Sequence, residues 1–459
     1  MLLVKDIKIG YFVFLTNQKP KNMTKTKFIL FLFLISTFSL FAQPTDSIQD
    51  ERFSIHAQTT LITQYKPAFS AKYTGTNSLI PTEETQMSTT LTLFLGAKLW
   101  QGASVFFNPE VAGGSGLSGS AGVGASTNGE TYRIGNSAPS FELARLYFTQ
   151  LIPLNPETEY IESDQNQLGS NIPTHYLSFT LGKICVTDFF DLNTYSHDPR
   201  TQFMSWALMS NGAWDFPANT RGYTPSVVLA WVTPANELRY DFSLMPNVAN
   251  GMTMNWEIGK AGSHTLEYMH NYSIRDNKGV VRLVSFLNYG NMGNYNESLL
   301  LNPTAPDVTG TRKFSRTKFG LGINAEQAIG KDLGAFLRAS WNDGNNETWA
   351  FTEIDRSVSF GLSSTGNRWN RTADKVGLAH VISGLSTPHL NYLKAGGKGF
   401  ELGDGNLNYG LENLTEFYYS FQLTKNISLS AAYQHIFNPG YNKDRGDVNV
   451  FSSRLHIQL

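Results

Sequence analysis

From Ser88 the chain reads STTLTLFLGAKLW, with Leu91, Leu93, Leu95, Ala97 and Leu99 on one face. Thr90, Thr92, Gly96 and Lys98 fall on the other, Phe94 being the exception. The same period of two returns near the end of the chain. Phe417, Tyr419, Phe421 and Leu423 oppose Glu416, Tyr418, Ser420 and Gln422. After Thr424, Lys425 and Asn426 the alternation restarts with Ile427, Leu429, Ala431 and Tyr433. Two alternating runs joined by so short a polar link predict a hairpin. The loop NPGYNKDRGD, residues 438–447, precedes a terminal strand in which Leu455, Ile457 and Leu459 oppose Arg454, His456 and Gln458. Strict alternation places one face against an apolar medium and the other against a wet one. A short turn, then a long loop, then a closing strand is the asymmetry of an antiparallel transmembrane β-barrel. FSIHAQTTLITQY, residues 53–65, is the expected partner of the last strand.

Composition sharpens this picture. Only 16% of residues are charged while 13% are aromatic and 40 are glycine, which suits an all-β chain rich in turns. A soluble sandwich would alternate too. Against it stand aromatic residues at predicted strand ends, such as Trp100, Tyr147 and Phe437, and a strand-and-loop rhythm without a helical segment. The net charge of −1 supplies no basic excess for nucleic acid. The single cysteine, Cys185, excludes an internal disulfide framework and is expected to sit inert on a strand. From Met23, lysines 25 and 27, an apolar run from Phe28 to Phe41 and Ala42 form a signal-peptide plan with cleavage after Ala42. Residues 1–42 are thus expected to be an N-terminal extension and signal peptide, and 43–459 the barrel domain. Residues 1–22 read either as untranslated or as a real extension. At roughly 26 residues per strand and connection, the remainder makes about 16 strands. The glycine-rich stretches 109–139 and 393–410 read either as linkers or as loops folded into the pore.

Parity also places candidate chemistry. In ELARLYFTQ it sets Arg145, Tyr147 and Thr149 on one face and Ala144, Leu146 and Phe148 on the other. An arginine facing lipid at mid-bilayer costs ~2–4 kcal/mol, so Arg145 is expected in the lumen, as are Lys98 and Arg454. A guanidinium fork can donate to neighbouring sugar hydroxyls. It can equally pair with a carboxylate such as Glu110 to satisfy the barrel interior. DFFDLNTYSHDPRT gathers Asp188, Asp191, His197, Asp198 and Arg200. That set reads as a hydrolytic or calcium site, or, more simply, as a hydrogen-bonded cluster holding an inward loop. FTEIDRS and WNRTADKVG, with Trp341, Trp349, Trp369, Arg356 and Arg371, look like strand ends and loops at a barrel mouth. There tryptophan marks the membrane boundary or contacts a solute. The nine histidines show no metal spacing, and no GxSxG elbow is present.

Several segments resemble the carbohydrate-selective porin family (OprB-like) of bacterial outer membranes. They are TTLITQYKPAF, TLTLFLGAKLWQGASVFFNPEVAGGSGLS, ELARLYFTQ, LGKICVTDFFDLNTYSHDPRTQFMSWALM, SWNDGNNETWAFTEIDRSVSFGLSSTGNRWNRTADKVGLA and GGKGFELGDGNLNYGLENLTEFYY. The resemblance weakens between about 240 and 312, and the chain departs from the family by ending in Leu459 rather than an aromatic residue. It implies a sixteen-stranded barrel with inward loops, through which small sugars diffuse past an arginine-bearing constriction. On that reading the pore candidates are Arg145, Tyr147, Lys98, Arg200, Asp198, Arg371, Trp369, Glu110 and Arg454, with Arg200 of HDPRT expected at the narrowest point. The partners are small sugars, outer-membrane lipid and the barrel-assembly machinery, with homo-oligomers left open. No cofactor is implied, since diffusion needs only a polar lumen. A general or anion-preferring porin, a barrel lipid hydrolase and a plugged adhesive barrel are the alternatives.

Overall fold

In a computed structural model, residues 50–131 and 137–459 are described. The predicted start at Met23, the cleavage after Ala42 and the boundary between residues 42 and 43 lie outside them. The chain opens with β1 (Phe53–Lys66), β2 (Glu84–Trp100), β3 (Ala103–Gly114) and β4 (Ser140–Pro153). Two short strands, β5 (Thr158–Ile161) and β6 (Ser170–Pro173), precede β7 (Tyr176–Ile184), β8 (Thr224–Val232) and β9 (Asn236–Ser243). Then come β10 (Gly262–Ile274), β11 (Asn277–Met292), β12 (Lys313–Ile329), β13 (Leu333–Asn342) and β14 (Arg356–Gly366). The last are β15 (Arg371–Gly384), β16 (Glu412–Thr424), β17 (Ile427–Phe437) and β18 (Gly446–Gln458). All but β5 and β6, which pair with each other, form one closed antiparallel barrel of 16 strands. It closes by pairing β1 with β18, from Gln58 opposite Gln458 to Tyr65 opposite Phe451, as the alternation predicted. Among the described residues no helix is long and apolar enough to cross a membrane.

The period of two explains both surfaces. Leu229, Leu266, Leu283, Leu321, Leu378 and Leu429 stand on the outer wall in an apolar belt. Bulky aromatics sit at its two edges, Trp100, Trp231 and Trp369 at one and Phe141, Phe314 and Phe437 at the other. Such a belt between aromatic girdles is what a hydrocarbon layer with two interfaces selects. One rim, here the turn rim, carries the two ends of the barrel sheet and mostly short turns, such as Gln101–Gly102 and Lys425–Asn426. The opposite loop rim carries the long connections.

Three of those connections, in the described residues 115–131, 185–223 and 343–355, turn inward into the barrel. At their junction Trp206 stacks on Phe351 at 4.3 Å and Phe351 on Phe216 at 4.6 Å. Close approach of the first loop to the connection between β1 and β2 needs Gly122, which has φ +81°, and where an added Cβ would lie 2.0 Å from the Leu79 amide nitrogen. Loop backbone without a partner strand still needs acceptors for its amides. Carboxylates on the wall supply them. Glu412 accepts from Gly124 and Ala125, Glu416 from Met204 and Ser205, Glu267 from Asp191 and Glu326 from Thr194, all within 3.0 Å. Of the two glycine-rich stretches, the described part of the first that follows β3, residues 115–131, therefore folds into the pore. The second follows a helix, Thr387–Lys394, and covers the loop rim by burying Leu402 and Leu407 with Tyr392 and Tyr441.

Candidate functional site

The 185–223 loop leaves β7 through a single helical turn, Val186–Asp188, and crosses the lumen. Three of its four acidic residues, Asp188, Asp191 and Asp198, are each aimed at a different partner. Asp188 receives a fork from Arg145, Nε at 2.5 Å and Nη2 at 2.7 Å. Asp191, fully buried and in the left-handed region at φ 57°, accepts from Arg338 Nε at 3.1 Å, from the Asn211 amide at 2.6 Å and from Asn324 Nδ2 at 2.6 Å. Asp198 accepts from its own loop, the Arg200 amide and the Thr201 hydroxyl, both at 3.0 Å. Burial acts to raise the Asp198 carboxyl, but the Arg200 charge and these donors outweigh it and hold it below the usual carboxylate range. Burial also keeps His197 below the ordinary histidine value. The DFFDLNTYSHDPRT set is thus a bonded scaffold for the loop, with its carboxylates dispersed.

The wall arginines divide into two kinds. Arg338 donates to the backbone carbonyls of Leu208, Ser196 and Asp191, and Arg454 to those of Pro199 and Gln202. Both are almost fully buried and act as clamps on the loop. Arg200 comes from the loop side and sits between Glu130 at 2.9 Å and Glu110 at 3.3 Å, while the Tyr223 hydroxyl donates to Glu110 at 2.8 Å. Glu110 therefore pairs with Arg200, and the carboxylate partner of Arg145 is Asp188. That pair is different in exposure: the Asp188 side chain is 31% exposed, against 7% for Arg145. Beside it, Phe189 meets Tyr147 edge-on at 6.0 Å, and Tyr147 packs on Phe106 at 5.1 Å.

Three of the sequence candidates lie elsewhere. Lys98 has lumenal parity but stands near the turn rim, ion-paired with Asp50 at 2.6 Å. Arg371 and Trp369 are on the outer wall of that rim. Arg371 lies over the Phe421 ring at 3.7 Å and pairs with Asp374, and Trp369 donates to the Tyr419 hydroxyl at 2.9 Å. An irregularity between Thr365 and Gly366 shifts the pairing so that Gly366 meets Arg371, and simple parity fails there. Trp341 is on the outer wall against Phe319, whereas Trp349, expected at the mouth, is wholly buried with Met245 and Met292. Cys185 is buried beside the Thr187 hydroxyl at 3.1 Å.

Other residues of the lumen were not singled out. Arg239 pairs with Glu237 at 2.5 Å and donates to the Phe189 carbonyl, and Arg282 approaches Glu326 at 3.7 Å. Their signal was present: in NELRYDFS alternation puts Glu237, Arg239 and Asp241 on one face. The lumen surface is therefore a set of paired charges amid hydroxyls and amides.

No curated protein matches this chain in sequence. The structure of OprB from Pseudomonas putida is similar with a TM-score of 0.68 at 16% identity, over 89% of this chain and 94% of that one. The outer membrane channel DcaP of Acinetobacter baumannii is similar with a TM-score of 0.49 at 10% identity, over 91% of this chain and 100% of that one. The family profile described as carbohydrate-selective porin, OprB family, matches residues 76–459. With its closed barrel, apolar belt and polar lumen, the chain belongs to the OprB family of carbohydrate-selective porins, channels of the outer membrane.

Proposed function

We propose that this porin passes small neutral sugars, monosaccharides first, through the part of the lumen bordered by Arg145, Asp188, Tyr147, Phe189 and Arg239. The observation that carries the reading is charge balance. Arg145 faces Asp188, Arg239 faces Glu237, and Arg338 and Arg454 spend their donors on the loop. A lining with paired charges offers an ion little net attraction, yet keeps forked donors and acceptors for hydroxyls. Passage is by diffusion, without a bond made or broken, so the role is that of a channel and not an enzyme. Residues 23–42 would act as the export signal and the barrel-assembly machinery would insert the chain.

Swelling of proteoliposomes in isotonic glucose, a disaccharide and a size-matched polyol tests this. Faster swelling in the sugars is expected. Equal rates would assign a general pore, a strong anion preference in single-channel currents would assign an anion-preferring one, and no swelling would refute the transport reading.

A further inference from the structure

Below the crossing loop, on the turn side, lies a cavity of about 630 Å³. Its roof is Thr201 of the crossing loop. Its walls come from β1, β15, β16, β17 and β18, and part of its floor from Ser163 and Asp164 in the connection between β5 and β6. That connection enters the barrel and is tied there. Ser163 Oγ is 3.0 Å from His56 Nε2, Gln165 donates to Gln58 at 3.0 Å, and Asn108 donates to Asn166 at 2.8 Å. Leu168 is buried in the cluster that holds Phe106 and Tyr147, which anchors the inserted segment under the central site.

We propose that this chamber is a second carbohydrate subsite, a holding place for one neutral mono- or disaccharide on the exit side of the constriction. The inference rests on the sugar reading above and adds a location to it. Four hydroxyls face the chamber, from Ser163, Thr201, Ser420 and Ser428, together with the amides of Gln422, Asn426 and Gln458. Charged side chains are few and of both signs, Asp164 against Lys375 and Lys425. A cluster of neutral donors and acceptors converging from several sides suits a polyol ring better than an ion. The volume falls in the range of sites that enclose ligands of this size, roughly 300–1,000 Å³. His456, 4% exposed, borders the chamber with its Nδ1 2.8 Å from the Thr60 hydroxyl and its ring beside the Gln458 side chain. Among the described residues only the two histidines offer the chamber a ring for stacking, so occupancy is brief, as conduction requires.

The test uses the full-length protein in proteoliposomes with labelled glucose and maltose, and the same variants in planar bilayers. His456→Leu removes the ring's hydrogen-bonding groups from the chamber wall. The concentration of glucose at half-maximal uptake is expected to rise about three- to tenfold, the effect of one hydrogen bond, while salt conductance stays as in the wild type. Ser420→Phe fills the chamber from a position paired with Lys375 and Ser430, not with His456 or Thr60. It is expected to suppress maltose uptake more than glucose uptake, and it decides the matter should His456→Leu not fold. Wild-type sugar uptake with unchanged half-saturation and sugar preference in the folded variants would overturn the subsite alone. Equal loss of sugar uptake and salt conductance would trace the effect to narrowing and overturn it also. Absence of sugar uptake by the wild type would overturn the sugar reading, and the subsite with it.

Discussion

Arg338→Met removes the guanidinium that clamps the crossing loop while leaving a side chain of similar length in its place. Four bonds go: one to the Asp191 carboxylate and three to the carbonyls of Asp191, Ser196 and Leu208. Breaking a buried pair by deleting one partner costs about 3–5 kcal/mol. Asp191 keeps the Asn211 and Asn324 donors, so the lower figure applies. About 3 kcal/mol corresponds to more than a hundredfold shift toward a displaced loop. The wall ladders between β12, β13 and β14 are backbone bonds and do not pass through this side chain. The barrel is thus expected to keep its heat-resistant migration in gels, while single-channel recordings show higher mean conductance and frequent transitions between levels. Asp191→Asn in the same background is expected to restore part of the quiet current, because no unpaired buried charge is then left. Wild-type conductance and noise in a folded Arg338→Met protein would refute the idea that this contact holds the loop in the pore.

Arg145→Ala is expected to alter sugar preference and shift ion selectivity toward cations, since it leaves Asp188 unpaired in the lumen; reversal potentials in a salt gradient check it, and loss of folding with no channel change would make the residue structural. Arg371→Ala and Trp369→Ala are expected to leave glucose uptake unchanged, because both lie on the outer wall; any change in liposome swelling would contradict that placement. Asp355, held at about 2, provides a pH test. Burial acts to raise it, but His389, Lys318 and the Ser386 amide outweigh that, so its stabilising effect is complete above the ordinary value near 3.8 and is lost as pH falls toward 2. Channel noise is expected to stay level down to about pH 4 and to grow below it, and growth confined to pH 5–7 would refute the assignment.

Most of the wall was legible because its two media impose a rule that every second residue obeys. Leu455 and Arg454, or Phe417 and Glu416, declare their sides without knowledge of any neighbour. The lumen was less legible because its partners are far apart in sequence. Nothing local in Arg145 distinguishes Asp188 from Glu110 as its counterpart, and only the path of the crossing loop decides. Arg371 was misplaced for a related reason: the local irregularity that turns it outward leaves no mark on hydrophobic alternation. Trp349 was expected at the barrel mouth, at the membrane boundary or against a solute, but its loop folds inward and buries the ring. Arg239 needed only the parity rule, applied to a stretch where family likeness was weak.

The wall carboxylates grip the inward loops by their amide hydrogens, and an amide hydrogen is the same whichever side chain follows it. Glu412, Glu416 and Glu326 would hold loops of quite different sequence in the same path. Such a scaffold can change its solute preference by exchanging loop side chains without relearning how to fold. The residue it refuses is proline, which lacks the donor, at positions 124, 125, 194, 204 and 205, and at 191, whose amide Glu267 accepts. Libraries that vary the other loop positions and exclude proline from those six would explore new selectivities on an unchanged frame.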